Sequence, residues 1–242
     1  MICKNCVKKL GGDYCNNCGQ KSNIERITLK YLINEIPNSI FQLNRGFLYT
    51  IKELFIRPGF SIKEFLSGKR INHYKPISFL IVTSTIYVLS TYMMDKDAFF
   101  YDFIAGFLEG GSGNDEPQII AFLDWLSKYQ VYIPLLILPI FSVSTYIAFL
   151  ELKYNYVEHL VVNFYITGQQ MIIYSIFGFI FLNHYHLSMI PLIIGLIYNF
   201  WALNQLFEKK ELQENIFLIM CSYFIFVFIL CIPAIIVVAA SN

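Results

Sequence analysis

Charged side chains are scarce in this 242-residue chain: Asp, Glu, Lys and Arg together make up 14%, against about 25% in an ordinary globular protein. Tryptophan is almost missing as well, with 2 residues beside 23 Phe and 17 Tyr. Apolar residues reach 56%, more than a single core of this size can hide, so lipid must cover the excess. That excludes a water-soluble globular domain. The chain also lacks a phosphate-binding loop, a nucleophile elbow, a Rossmann glycine pattern and a metalloprotease helix, which argues against those enzyme classes. Its basic residues are not interleaved with aromatics as in a nucleic-acid module, so no nucleic-acid partner is expected. No apolar run precedes the first cysteines, so the first span is expected to act as an internal signal-anchor.

What is present is a series of long apolar runs. Five contain no Asp, Glu, Lys, Arg or His: Ile77–Met94, Val131–Leu150, Leu160–Leu182, Leu187–Leu206 and Ile216–Ala240. Each approaches or exceeds the roughly 20 residues that a helix needs to cross a bilayer. The last is interrupted at Pro233, where a kink is expected. None alternates like a barrel strand. The expected fold is therefore an all-α multi-pass membrane protein of about five spans; a four-span version reads Leu160–Leu206 as re-entrant. Three regions follow: a small N-terminal zinc ribbon over 1–25, amphipathic surface helices over 26–76, and the helical bundle over 77–242.

Charge asymmetry sets the orientation. Met1–Pro76 carries 13 Lys/Arg and 5 Asp/Glu, whereas Asp95–Gln130 carries 2 and 7. Placing the N-terminus inside leaves 16 of the 18 basic residues in the cytoplasm, as positive-inside asymmetry requires. The C-terminus is then outside. Gly110–Asn114 reads as a flexible tip of the outer loop, and Ile119–Tyr129 as a short helix placing Trp125 at headgroup depth.

Four of the six cysteines form one constellation, Cys3-x-x-Cys6 and Cys15-x-x-Cys18. Two such knuckles eight residues apart can set four thiolates at the corners of a tetrahedron, the geometry of structural Zn²⁺. About twenty residues cannot build an apolar core, so bound metal would supply most of the folding free energy of this head. A disulfide pair or a redox dithiol needs an oxidising compartment or a βαβ scaffold; an iron–sulfur centre is a further alternative. Four occupied ligand positions imply a structural zinc, since catalytic zinc keeps one open. Cys221 and Cys231, in the last run, read as small buried apolar side chains.

Between head and first span, apolar residues recur at helical spacing: Leu29, Leu32, Ile36, Ile40, Leu43, Phe47, Ile51, Leu54. Pro37 and Gly46 should break this stretch into short helices. Arg57-Pro58-Gly59 reads as a turn, Ser61 with Glu64 as a capping box, and Gly68 as a helix stop. These helices lie on the inner leaflet, or pack on the cytoplasmic ends of the spans or on a partner, and the readings are not exclusive. Lys69, Arg70, His73 and Lys75 stand where anionic lipid headgroups would attract them.

Cys3-x-Asn5-Cys6, Tyr14-Cys15-x-x-Cys18-Gly19-Gln20-Lys21, Arg26-Ile27-Thr28, Gly46-Phe47-x-x-Thr50, Arg57-Pro58-Gly59, Gly68-Lys69-Arg70 and Tyr74-x-Pro76 together resemble an uncharacterised bacterial inner-membrane family, a domain of unknown function. The likeness covers the first eighty residues and, more loosely, Tyr154–Leu160. It implies a zinc-ribbon head on several spans in the bacterial cytoplasmic membrane, and no activity. Val7 departs from it, standing where that family has a knuckle glycine.

Inside the third run lie Asn163, Thr167, Gly168, Gln169 and Gln170; Asn199, Asn204 and Gln205 lie in the fourth. Amides in hydrocarbon must face protein or water. They read either as hydrogen bonds between helices, with Gly168 and Gly195 allowing close approach, or as the lining of a polar intramembrane site built by Asn163, Thr167, Gln169, Gln170 and Asn199. Glu158 and His159, at the cytoplasmic mouth of the third run, are weak acid–base candidates, because neighbouring residues on a helix diverge by about 100°. His184 and His186 read as a solvated outer turn. No catalytic residue is assigned. The leading expectation is a non-enzymatic membrane protein whose metal head docks a protein partner or a second copy. A small channel or transporter comes next, and an enzyme acting on lipid after it.

Overall fold

The computed structural model describes residues 2–35, 45–94, 132–181, 190–207 and 211–241, together with Trp125 and Tyr129. The expected features at Ile36–Leu43, Gly110–Asn114, His184, His186 and most of Ile119–Tyr129 lie outside these residues. Among the described residues the regular structure is helical, with no strand beyond two isolated bridges in the head, Ile2 with Lys9 and Tyr14 with Lys21. Helices α1 (Leu29–Glu35), α2 (Arg45–Ile56) and α3 (Pro58–Ser67) form a collar. Helices α4 (Pro76–Met94), α5 (Tyr132–Ala148), α6 (Tyr156–Ile180), α7 (Ile190–Leu206) and α8 (Leu212–Ser241) form the bundle.

Three helical stretches are long and apolar enough to cross a membrane: Pro76–Met94, Tyr156–Ile180 and Leu212–Cys231. Two more are apolar but shorter, Leu135–Ala148 and Ile190–Leu206. Among the described residues the second expected span is thus the shorter one. Its helix stops at Ala148, and the chain passes through a 3₁₀ turn at Leu150–Leu152 to Lys153, which takes a left-handed conformation. The third expected span extends the other way, because Asn155 caps α6 one turn before the apolar run. Its side chain accepts the Glu158 amide while the Glu158 carboxylate accepts the Asn155 amide, two orphan donors satisfied reciprocally. Helix α8 runs unbroken through Pro233.

Helix α6 is the hub, packed by α4, α5 and α7 and touched by α2 and α3. Gly168 allows the Phe79 ring and Thr83 of α4 to approach, and Gly195 of α7 lies under the Tyr174 ring. Tyr165, Phe79, Ile166 and Leu203 are fully buried there. The collar belongs to this core. Phe47, Leu54, Ile62 and Phe65 are buried with it, the Tyr198 hydroxyl donates to the Leu54 carbonyl (3.1 Å), and the Tyr165 hydroxyl to the Tyr74 carbonyl (2.6 Å). Leu29, Ile33, Leu48 and Ile56 remain exposed on the collar's other faces.

Three local expectations need correction. Arg57-Pro58-Gly59 is not a turn but the start of α3, with Pro58 in the first helical position, where its missing N–H costs nothing. Ser61 therefore lies inside the helix and caps nothing; fully buried, it meets His73 Nε2 at 3.0 Å. Gly68 ends α3 as expected, at φ 111°. Cys221 is half-buried and Cys231 exposed on α8, not buried as expected.

Candidate metal centre and its joint to the bundle

The head is a duplicated unit. Shifting Cys3–Lys9 by twelve positions lays Cys3 on Cys15, Cys6 on Cys18, Val7 on Gly19 and Lys8 on Gln20. The hydrogen bonds repeat with the same offset. The Cys3 amide donates to the Lys8 carbonyl and the Val7 amide to the Cys3 carbonyl; the Cys15 amide donates to the Gln20 carbonyl and the Gly19 amide to the Cys15 carbonyl. Each knuckle closes with a left-handed residue, Val7 at φ 61° and Gly19 at φ 74°.

This duplication brings four sulfurs together. Cys3 and Cys18 lie 3.6 Å apart, Cys6 and Cys15 3.5 Å, and all four sulfurs lie within 4.8 Å of one another. Tetrahedral coordination at about 2.3 Å would set them about 3.8 Å apart, so the four cysteines can hold a metal ion. The Cys6 and Asn5 amides hold the Cys3 thiol below its ordinary value. Those of Cys18 and Asn17 bring Cys15 down to about 6. At Cys18 the Gln20 amide favours the thiolate, but burial and the neighbouring Cys3 and Cys6 sulfurs outweigh it and push the thiol up to about 11. Four such sulfurs cannot all ionise side by side without a cation to share them.

The head is clamped to the bundle through its second knuckle. Gln20, 4% exposed, donates to the Gly68 carbonyl (2.9 Å) and accepts from the amides of Arg70 (3.0 Å) and Ile71 (3.3 Å). Gln20 thereby satisfies the peptide groups freed where α3 ends. One step along, Arg26 makes a bidentate pair with Glu158, Nε to Oε1 at 3.0 Å and Nη2 to Oε2 at 2.7 Å, and Asn155 donates to the Ile27 carbonyl. Glu158 therefore works as helix cap and anchor. His159 points elsewhere, into a nest of Tyr146, Tyr154 and Phe207 rings, 1% exposed, with no hydrogen-bond partner for either ring nitrogen among the described residues. The two do not form an acid–base pair.

The basic cluster beneath the head is engaged within the chain. Lys69 pairs with Glu64 at 3.0 Å, and Glu64 also receives Arg57. Arg70 lies over the Tyr31 and Phe65 rings while donating to the carbonyls of Phe65 and Glu25. His73 is buried, which holds its imidazole below the ordinary value despite Glu64 and Glu53 nearby.

The intramembrane amides divide. Asn163 of α6 donates to Ser142 (3.0 Å) and Thr145 (3.1 Å) of α5, and Gln170 to the Gly195 carbonyl of α7 (2.8 Å). Asn204 accepts from Asn215 of α8, and Gln205 from the Gly59 amide. Gln169 is fully buried with neither side-chain polar atom bonded among the described residues, and Asn199 is buried with Oδ1 likewise; Thr167 is half-buried. The sequence offers Gln20, Arg26 and Gly59 only as parts of a family resemblance, and gives neither them nor Asn155 the contacts that the structure shows. Asn155-x-x-Glu158 carries a capping-box signal; Gln20 stands in a resemblance motif, but nothing there points to Gly68 as its partner.

Residues 44–88 match the family described as "Protein of unknown function (DUF3667)". That match covers α2, α3 and the first part of α4 and leaves the cysteine head outside it. No curated protein and no solved structure matches the chain.

Proposed function

We propose that this chain is a non-enzymatic integral membrane protein in which a structural Zn²⁺ organises a cytoplasmic head, and that the clamped head is an assembly module for a protein partner or a second copy. The observation that carries this reading is the Gln20 bridge. A four-sulfur site is held by three hydrogen bonds to the link between α3 and α4, an arrangement suited to presenting a surface rather than turning over a substrate. In the full topology α4 to α8 are five crossings, with the N-terminus inside and the C-terminus outside a bacterial cytoplasmic membrane. The chain extracted in detergent should carry one zinc per polypeptide by elemental analysis and migrate as a stoichiometric assembly. Recovery of a metal-free, lone monomer from several detergents would defeat the proposal. Topology is checked by labelling single cysteines placed at the two chain ends from either side of the membrane.

The polar-path reading keeps one observation in its favour, the buried amide of Gln169 with no hydrogen-bond partner among the described residues. Gln169→Leu should abolish flux through liposomes if that amide lines a path, and leave the fold intact if it does not. The lipid-enzyme reading loses its two residues to other tasks, Glu158 to Arg26 and His159 to an aromatic nest.

A further inference from the structure

The two knuckles share a backbone but present opposite chemistry. The second ends in Gly19 and Gln20, and Gln20 both donates and accepts, which matches the peptide groups it grips at Gly68–Ile71. The first ends in Val7 and Lys8, and lysine only donates, which matches anionic oxygens instead. Around it Lys4, Lys8 and Lys9 are exposed, as are Ile2 (64%) and Val7 (74%). Lys8 spends one donor on Asn17 at 2.8 Å and keeps two. Val7 is the telling residue. A β-branched side chain at φ 61° is strained where the sister knuckle has glycine, and an apolar group this exposed recovers nothing by packing within the chain.

The surface this knuckle meets is set by the clamp. Gln20 ties the head to residues 68–71, and α4 begins at Pro76, so at most about 18 Å of chain separates the clamp from the first candidate span. A bilayer's polar layer adds about 5–7 Å on each side of the hydrocarbon. We infer that the first knuckle, through Ile2, Lys4, Val7, Lys8 and Lys9, docks on anionic phospholipid of the membrane that the bundle crosses. The lysines meet phosphate oxygens, and the two apolar side chains enter the headgroup layer. This also moves the lipid contact away from Lys69, Arg70 and His73, which are engaged within the chain. An acidic protein segment as the occupant would instead leave residues 2–9 exchanging alike in both kinds of disc.

The inference rests on the membrane reading above, and its test separates the two. The full chain is reconstituted in nanodiscs of phosphatidylcholine alone, or with about one third phosphatidylglycerol, and amide hydrogen exchange is followed in the head. Residues 2–9 should exchange at least tenfold more slowly in the anionic discs, and about 0.5 M salt should remove the difference by screening. Each lysine near the surface contributes roughly fivefold in affinity, so Lys4→Glu, Lys8→Glu and Lys9→Glu combined should erase the protection. Zinc content guards against an unfolded head, and the milder triple change to Gln should erase most of the protection as well. Equal exchange of residues 2–9 in both discs, or protection surviving in the zinc-loaded triple variant, overturns the lipid contact while leaving a zinc-bearing membrane protein. Failure of the chain to enter discs of either kind overturns the membrane reading and this inference with it.

Discussion

The head and the bundle of this chain keep their shapes by different means. Among residues 2–25 the only buried side chains are Cys3, Cys15 and Gln20: two metal-ligand candidates and the clamp. In the bundle, whole aromatic rings are buried, Tyr165 against Phe65 at 5.3 Å and against Phe79 at 5.8 Å between centroids. One end is ordered by sulfur and amide chemistry, the other by close packing around α6. A perturbation should therefore reach one end without the other, except where the two meet, at Gln20, at the Glu25 carbonyl held by Arg70 and at the Arg26–Glu158 pair with its neighbouring Asn155–Ile27 bond.

The strongest break in that contrast is removal of the metal. Structural zinc in small four-ligand sites contributes about 10–16 kcal/mol to folding, and nothing apolar remains to hold residues 2–22 without it. Chelation, or Cys15→Ser, should let those amides exchange at unfolded rates while α4 and α6 stay protected. A head that keeps its protection when metal-free would refute the division. The opposite break is Gly59→Ala. A methyl there would overlap the α7 backbone at Leu206 and Ala202 as well as the Gln205 side chain, and backbone cannot step aside as a side-chain tip can. The cost is about 3 kcal/mol, read as several degrees of thermal unfolding in detergent, with zinc content unchanged.

Much of the bundle was legible because hydrocarbon imposes a blunt rule. Charge-free runs mark α4, α6 and α8, and the Cys-x-x-Cys spacing marks the metal site. The α3 start was misread because Arg57-Pro58-Gly59 has turn composition, whereas tertiary contact decided the outcome: Gly59 is needed for its close approach to α7, and proline suits the first turn of a helix. The clamp was illegible for a different reason. Gln20 and Gly68 are 48 residues apart, and a single glutamine carries no periodic signal. Glu158 read as no more than a weak acid–base candidate, and its partner Arg26 lies 132 residues upstream, beyond any local reading.

The joint itself gives a middle-sized effect. Arg26→Ala leaves the Glu158 carboxylate, buried in the native chain, with only its cap bond among the described residues. Because Arg26 is 58% exposed, solvent already screens the pair, so the cost is about 2 kcal/mol rather than that of a fully buried bridge. Exchange should quicken at residues 22–28 first. Acid should loosen the collar by a smaller amount. Burial holds the folded-state value of His73 below the ordinary 6.5, so the unfolded chain binds its proton more readily. Stability is then complete above about pH 6.5 and declines as pH falls below it toward the folded value. Thermal unfolding at pH 7.5 and 5.5 with zinc in excess should fall further for the native chain than for His73→Gln.

The smallest expected change is the sharpest test of the contrast between the knuckles. Val7→Gly should relieve a left-handed β-branched residue and stabilise the head by about 1 kcal/mol, partly offset by the freer unfolded chain that glycine brings. If the strain serves only knuckle closure, metal is held more tightly and nothing is lost. If Val7 stands there for the bilayer, the same substitution tightens zinc binding in detergent yet weakens protection of residues 2–9 in anionic discs. Opposite signs from one substitution cannot arise from a simple packing defect, so the pair of measurements distinguishes a tolerated imperfection in the first knuckle from a side chain kept for its contact with lipid.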